Sequence, residues 1–114
     1  RINLKNPPGS TRQLYKNEGV VFDAPVEKGR HYRFKVQLGP SYPLVDQGIL
    51  RYRVTAGGKS QVFVLDTRSM KGLLECSLQF DARSNVERFR VDLIDASKGS
   101  YGFSDASNFS IERL

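Results

Sequence analysis

Tryptophan is absent from this 114-residue chain, and cysteine, histidine and methionine occur once each. Each scarcity closes off some chemistry. Without tryptophan the widest aromatic platform for stacking a sugar ring or a nucleobase is missing, which leaves tyrosines for that task. With one thiol, Cys76, no internal disulfide can form, so the fold must rest on its core. The lone imidazole, His31, has no cysteine or aspartate at ligand spacing, and a zinc centre is not expected. A serine–histidine–aspartate array would also need His31, and no serine has the strand-to-helix elbow that exposes a nucleophile. No apolar run approaches the roughly 18 residues that cross a bilayer as a helix. Internal repeats, heptads and low-complexity tracts are missing too.

What is present describes one small domain over residues 1–114, with 39% hydrophobic residues. A chain of this length buries roughly two-thirds of its unfolded surface without help from a disulfide or a metal. Lysine and arginine number 18 against 12 acidic residues, giving a formal charge of +6 and a pI near 9.7. That balance favours acidic partners, although charge speaks to steering and solubility rather than to fold. The chain begins at Arg1 and carries no signal-peptide pattern, so it reads as a mature product or a domain of a longer protein.

Alternation dominates from Val20 onward. In the run from His31 to Leu38, Tyr32, Phe34, Val36 and Leu38 point one way while His31, Arg33, Lys35 and Gln37 point the other, because successive side chains on a strand alternate faces. The same pattern predicts strands over 49–55, 60–65, 75–82 and 88–94, with others at 20–26 and 108–112. Ala56-Gly57-Gly58-Lys59 is a hairpin signal, since glycines accept the positive φ of a tight turn. Pro25 marks its strand as edge or terminal. Residues 1–19 read as a linker-like opening segment with a short edge strand at Arg1–Leu4. Residues 67–74 form a loop with one helical turn around Met70, and 96–107 form a second loop, rich in Ser and Gly. About seven to nine short strands and no amphipathic helix predict an all-β domain, an antiparallel β-sandwich or jelly roll, with a closed barrel as the alternative.

The outward strand positions concentrate arginine and lysine. Arg33, Lys35, Arg51 and Arg53, with Arg88 and Arg90 in the same phase, merge into one basic plate if their strands adjoin. Against this stands a merely solvated sheet face, with Asp81, Asp92 and Asp95 interleaved to neutralise it by cross-strand pairing. Tyr32 and Tyr52 are in phase with apolar neighbours and belong to the core, as does Cys76, in line with Leu78 and Phe80. Tyr42 and Tyr101 instead lie in Gly/Pro/Ser-rich loops. Lys98, Ser100 and Tyr101 bring a cation, a hydroxyl and an aromatic ring to one loop, a set suited to ligand contact. Glu18, Asp23, Asp46 and Asp105 are the oxygen ligands available to a structural calcium, and no other cofactor is expected. Asp92 with Asp95 has the composition of a glycosidase pair, but the chain is small to house a substrate cleft.

Several segments together resemble the jelly-roll carbohydrate-binding modules with a galactose-binding-like fold. They are the turn and strand Lys28-Gly29-Arg30-His31-Tyr32-Arg33-Phe34-Lys35-Val36, the Gly-Gly hairpin, Phe80-Asp81-Ala82, Phe89-Arg90-Val91-Asp92-Leu93, and the closing Asp105-Ala106-Ser107-Asn108-Phe109-Ser110-Ile111. The resemblance spans roughly residues 20 to 112. It implies a non-catalytic module that binds a glycan as part of a secreted or cell-surface protein. It also implies a structural calcium held by a carboxylate near the last strand, although Ser107 precedes Asn108 where the family pattern has aspartate. Combined with the positive charge and the missing tryptophan, it implies an acidic polysaccharide held by Arg33, Lys35, Arg51 and Arg53, with Tyr42, Lys98, Ser100 and Tyr101 as loop contacts. The alternative is a protein-interaction or structural β-sandwich from an adhesin, surface, phage or secretion assembly. Neither a nucleic acid nor a membrane is an expected partner.

Overall fold

The structure is a computed structural model that describes residues 12–15, 19–40, 48–67, 73–96 and 103–114. These form eight strands: β1 (Arg12–Tyr15), β2 (Gly19–Pro25), β3 (His31–Pro40), β4 (Ile49–Ala56), β5 (Lys59–Asp66), β6 (Leu74–Asp81), β7 (Val86–Ala96) and β8 (Phe103–Arg113). They pair antiparallel throughout, in two four-stranded sheets ordered β1-β8-β3-β6 and β2-β7-β4-β5. The fold is an all-β sandwich with jelly-roll character, and two separate sheets replace the alternative of a closed barrel.

The alternation in the sequence becomes an inside and an outside. Tyr32, Phe34, Val36 and Leu38 of β3 are buried against Tyr52 and Val54 of β4 and Phe89, Val91 and Leu93 of β7. Aromatic rings join the layers: Phe34 of one sheet lies 5.0 Å from Phe89 of the other, and Phe80 lies 5.5 Å from Phe89 in a T-shaped pair. Phe22 stacks on Phe89 at 5.4 Å and meets Phe109 edge-on at 5.7 Å. Such pairs add about 0.5–1.5 kcal/mol each beyond simple area burial. Tyr32 brings its polar end too, and its hydroxyl accepts a 2.8 Å hydrogen bond from the Glu27 backbone N–H. Cys76 is buried, and burial pushes its thiol up to about 12, so it is a core group and not a reactive one.

Two expectations change. The segment before Val20 contains strand β1, which pairs with β8 from Arg12↔Ala106 to Tyr15↔Phe103 and buries Leu14. Strand β8 begins at Phe103, so the last part of the expected 96–107 loop, Asp105 included, is strand. Its Ser-rich composition is a poor strand signal. Ladders with β1 on one side and β3 on the other hold it extended regardless. Arg1–Leu4 and the turn around Met70 lie outside the described residues.

Candidate functional site

The sheet order divides the basic plate. Arg33 and Lys35 on β3 face outward from one sheet, while Arg51 and Arg53 on β4 and Arg88 and Arg90 on β7 belong to the other. The two groups therefore point to opposite sides of the sandwich, and no single surface carries all four of the cations expected to hold the ligand. The reason is topological: β3 pairs with β6 and β8, never with β4.

On the β2-β7-β4-β5 face, carboxylates interleave with the arginines. Arg88 Nε donates to Asp23 at 3.0 Å, and Arg90 Nε lies 2.8 Å from Asp92 Oδ2. Asp92 is buried where β2 offers Gly19, whose missing side chain leaves room for the carboxylate: a Cβ there would sit 2.1 Å from Asp92 Oδ1. Arg51 and Arg53 stand opposite Asp95 and Asp92 in register, yet make no ion pair among the described residues. Beside the β6–β7 turn, buried Glu87 accepts from the Arg83 backbone N–H at 2.6 Å and from Arg83 Nη2 at 3.1 Å. Those bonds hold its carboxyl below the usual range.

The β8-β3-β6 face is polar from end to end. His31 Nδ1 lies 2.7 Å from Asp81 Oδ1 and Nε2 lies 3.0 Å from Gln79 Oε1. Hydrogen bonds to Gln79 and then Asp81 raise the imidazole pKa above 6.5. Arg33 and Lys35 share one carboxylate, Glu112, at 3.5 and 3.1 Å, and Lys35 Nζ is also 3.9 Å from Glu75. Further along, the ladder between β3 and β8 is irregular, shifting between Lys35 and Gln37. Asn108 there adopts φ of 53°, a left-handed conformation that asparagine tolerates better than most residues. The resulting bulge places Ser107 and Asn108 in succession before the chain resumes with Phe109 in the core. The Asn108 side-chain amide donates to Gln37 Oε1.

A polar pocket of about 100 Å³ opens at this bulge, lined by Lys35, Val36, Gln37, Glu75, Asn108 and Ser110. Ser110 is only 5% exposed, and its Oγ is the one buried side-chain polar atom without a partner among the described residues. The pocket thus combines an ammonium, two side-chain amides, a carboxylate and an orphaned hydroxyl. That set can donate to and accept from ligand hydroxyls together. Of the expected contacts, Arg33 and Lys35 are on this face, and Tyr42, Lys98, Ser100 and Tyr101 lie outside the described residues. Gln37, Glu75, Asn108 and Ser110 were not among the expected contacts. Of these, only the outward phase of Gln37 was readable in the sequence.

Among the described residues the expected calcium ligands are not brought together. Asp23 faces outward from β2 and is engaged by Arg88, whereas Asp105 belongs to β8 in the opposite sheet. No group of three metal-ligating side chains exists among the described residues. Glu18 and Asp46 lie outside them. Among the described residues no helix is long and apolar enough to cross a membrane.

No protein-family model matches the chain, and no curated protein matches it in sequence. Solved structures do. A CBM4 structure superposes with a TM-score of 0.63 at 6% identity, covering 84% of this chain and 61% of its own. The EclA C-terminal domain, a sugar-binding protein, gives 0.66 at 15% identity over 90% of this chain and 79% of that one. Carbohydrate-binding module CBM36, in complex with calcium and xylotriose, gives 0.58 at 15% identity over 90% and 78%. The chain has the fold of these modules. At such identities the likeness establishes the fold, and the ligand must be argued from the chemistry of the site.

Proposed function

We propose that this protein is a non-catalytic carbohydrate-binding module whose glycan lies on the outer face of the β8-β3-β6 sheet, over Ser110. The orphaned Ser110 hydroxyl at the floor of a polar pocket is the observation that carries this reading. A buried hydroxyl without a partner costs about 1–3 kcal/mol, and an entering sugar hydroxyl removes that cost. Around it, Lys35 and the amides of Gln37 and Asn108 donate, and Glu75 accepts. Glu112 fixes Lys35 and Arg33 in place before any ligand arrives. The likeness to a sugar-binding domain and to a module holding xylotriose supports the same reading.

An acidic polysaccharide is the ligand suggested by composition. On this face, however, Arg33, Lys35 and His31 are already matched by Glu112, Glu75 and Asp81. That balance favours a hydroxyl-rich neutral glycan over a polyanion. Tyr42, Lys98, Ser100 and Tyr101 remain proposed loop contacts on their residue types alone. Binding without bond-making fits the face, because Glu112 and Asp81 are each tied to a cation and not presented as an acid–base pair. Work as a secreted or surface module within a larger protein is part of this proposal.

Affinity electrophoresis against xylan, glucomannan and polygalacturonate, with wild type and Ser110→Ala, tests it. Retention by a neutral polysaccharide is expected, and Ser110→Ala should weaken it about three- to tenfold, the worth of one hydrogen bond. The same variant should melt at the wild-type temperature or higher, since it removes an unsatisfied buried hydroxyl. Unchanged retention in Ser110→Ala, or retention by polygalacturonate alone, would overturn the proposal.

A further inference from the structure

Four strands end the two sheets, and one of them is unguarded. β1 has only four residues, β2 ends on Pro25 and carries Asp23, and β6 presents Glu75 and Asp81 outward. Shortness, proline and charge are the usual protections of a sheet edge. β5 has none of them along most of its eight residues: Ser60-Gln61-Val62-Phe63-Val64-Leu65 is uncharged, and its ladder with β4 runs without a bulge. Ala56 and Lys59 flank the two-residue turn and form the first hydrogen-bonded pair of that ladder. By alternation, the N–H and C=O groups of Ser60, Val62 and Val64 point off the open edge. No described strand pairs with it.

The side chains beside this edge are equally uncommitted. Val62 and Val64 are 49% and 51% exposed on the outer face, opposite Arg53 and Arg51 in register. Arg30, Arg33, Arg83, Arg88, Arg90 and Arg113 each hold a carboxylate. Arg51, Arg53 and Lys59 make no ion pair among the described residues. Cations without an ion pair among the described residues and outward-pointing backbone groups thus coincide on one hairpin.

We infer that the β5 edge receives an extended acidic polypeptide segment as an added strand, with Arg51 and Arg53 pairing its outward carboxylates. Strands lie about 4.8 Å apart, so a guest strand on β5 is about 10 Å from β4, within joint reach of an arginine and a glutamate across Val62 and Val64. Only a polypeptide supplies the alternating donors and acceptors that the edge lacks, which sets it apart from an acidic polysaccharide. A second copy would pair valine with valine and bring Arg51, Arg53 and Lys59 against a single strand-end carboxylate, Asp66, that already has a partner, so charge complementarity favours a different, acidic chain. The inference is independent of the glycan face, which belongs to the other sheet.

The probe is an acetylated, amidated heptapeptide alternating glutamate with valine and threonine, titrated into the full chain and followed through backbone amide resonances. Shifts and slowed hydrogen exchange at Ser60, Val62 and Val64 are expected. Replacing glutamate by lysine in the peptide should abolish them. The double substitution Arg51→Glu with Arg53→Glu should weaken binding about tenfold, and Val62→Pro should block the edge. Both variants are checked first for an unchanged thermal transition; where one fails, Val64→Pro replaces Val62→Pro, and Arg51→Gln with Arg53→Gln replaces the glutamate pair. Equal binding of the lysine peptide, shifts elsewhere, or β5-dependent dimerisation in sedimentation would overturn the inference. So would polygalacturonate binding at Arg51 and Arg53 that ignores Val62→Pro.

Discussion

At the scale of single residues, environment decides what each polar group can do. His31 and Ser110 share one sheet face but have opposite situations. Both ring nitrogens of His31 meet side-chain oxygens, whereas Ser110 Oγ meets none. Because the folded-state pKa of His31 is raised above 6.5, its contribution to stability is complete below that value and is lost as pH rises through the folded pKa. Thermal melts from below pH 6.5 upward should therefore show a decline in stability that His31→Gln removes. An identical pH profile in the variant would show that the two hydrogen bonds do not favour the protonated ring. Ser110 was hard to read from sequence for a specific reason. A serine in phase with outward positions looks like solvated surface, and its burial depends on the bulge and on Lys35 from another strand.

At the scale of elements, the strongly alternating strands were legible and the weakly patterned ones were not. Strands β3, β4, β6 and β7 each put a buried residue at every second position through most of their length, and that periodicity is written in the sequence. β1 and the first half of β8 are strands because partners hold them, which no local signal records. The β4–β5 hairpin lies between these cases. Gly57 and Gly58 have φ of 57° and 77°, as the turn requires, but Gly57 also packs so closely that a Cβ would lie 2.4 Å from Phe80 Cδ2. Gly58 faces the end of the flexible Arg83 side chain instead. Gly57→Ala should destabilise the fold by about 2–4 kcal/mol, combining backbone strain with a core clash. Gly58→Ala should cost less, about 1–2 kcal/mol, from strain alone. Urea unfolding distinguishes them, and equal midpoints would show that the Phe80 contact does not constrain the turn.

At the scale of the whole molecule, strand order turns a charge pattern into two different surfaces. The outward phase of Arg33, Lys35, Arg51 and Arg53 was readable, but their separation was not, because pairing between distant strands decides it. One face matches its cations with carboxylates around a polar pocket, and on the other Arg51 and Arg53 make no ion pair among the described residues, beside a strand edge that no described strand pairs. Net charge of +6 therefore says little about the glycan itself. Backbone amide mapping during titration with a neutral oligosaccharide tests most directly whether sugar binds over Ser110. Shifts centred on Gln37, Glu75, Asn108 and Ser110 that persist at moderate salt are expected. Shifts centred on Arg51 and Arg53 that vanish with salt would contradict that placement.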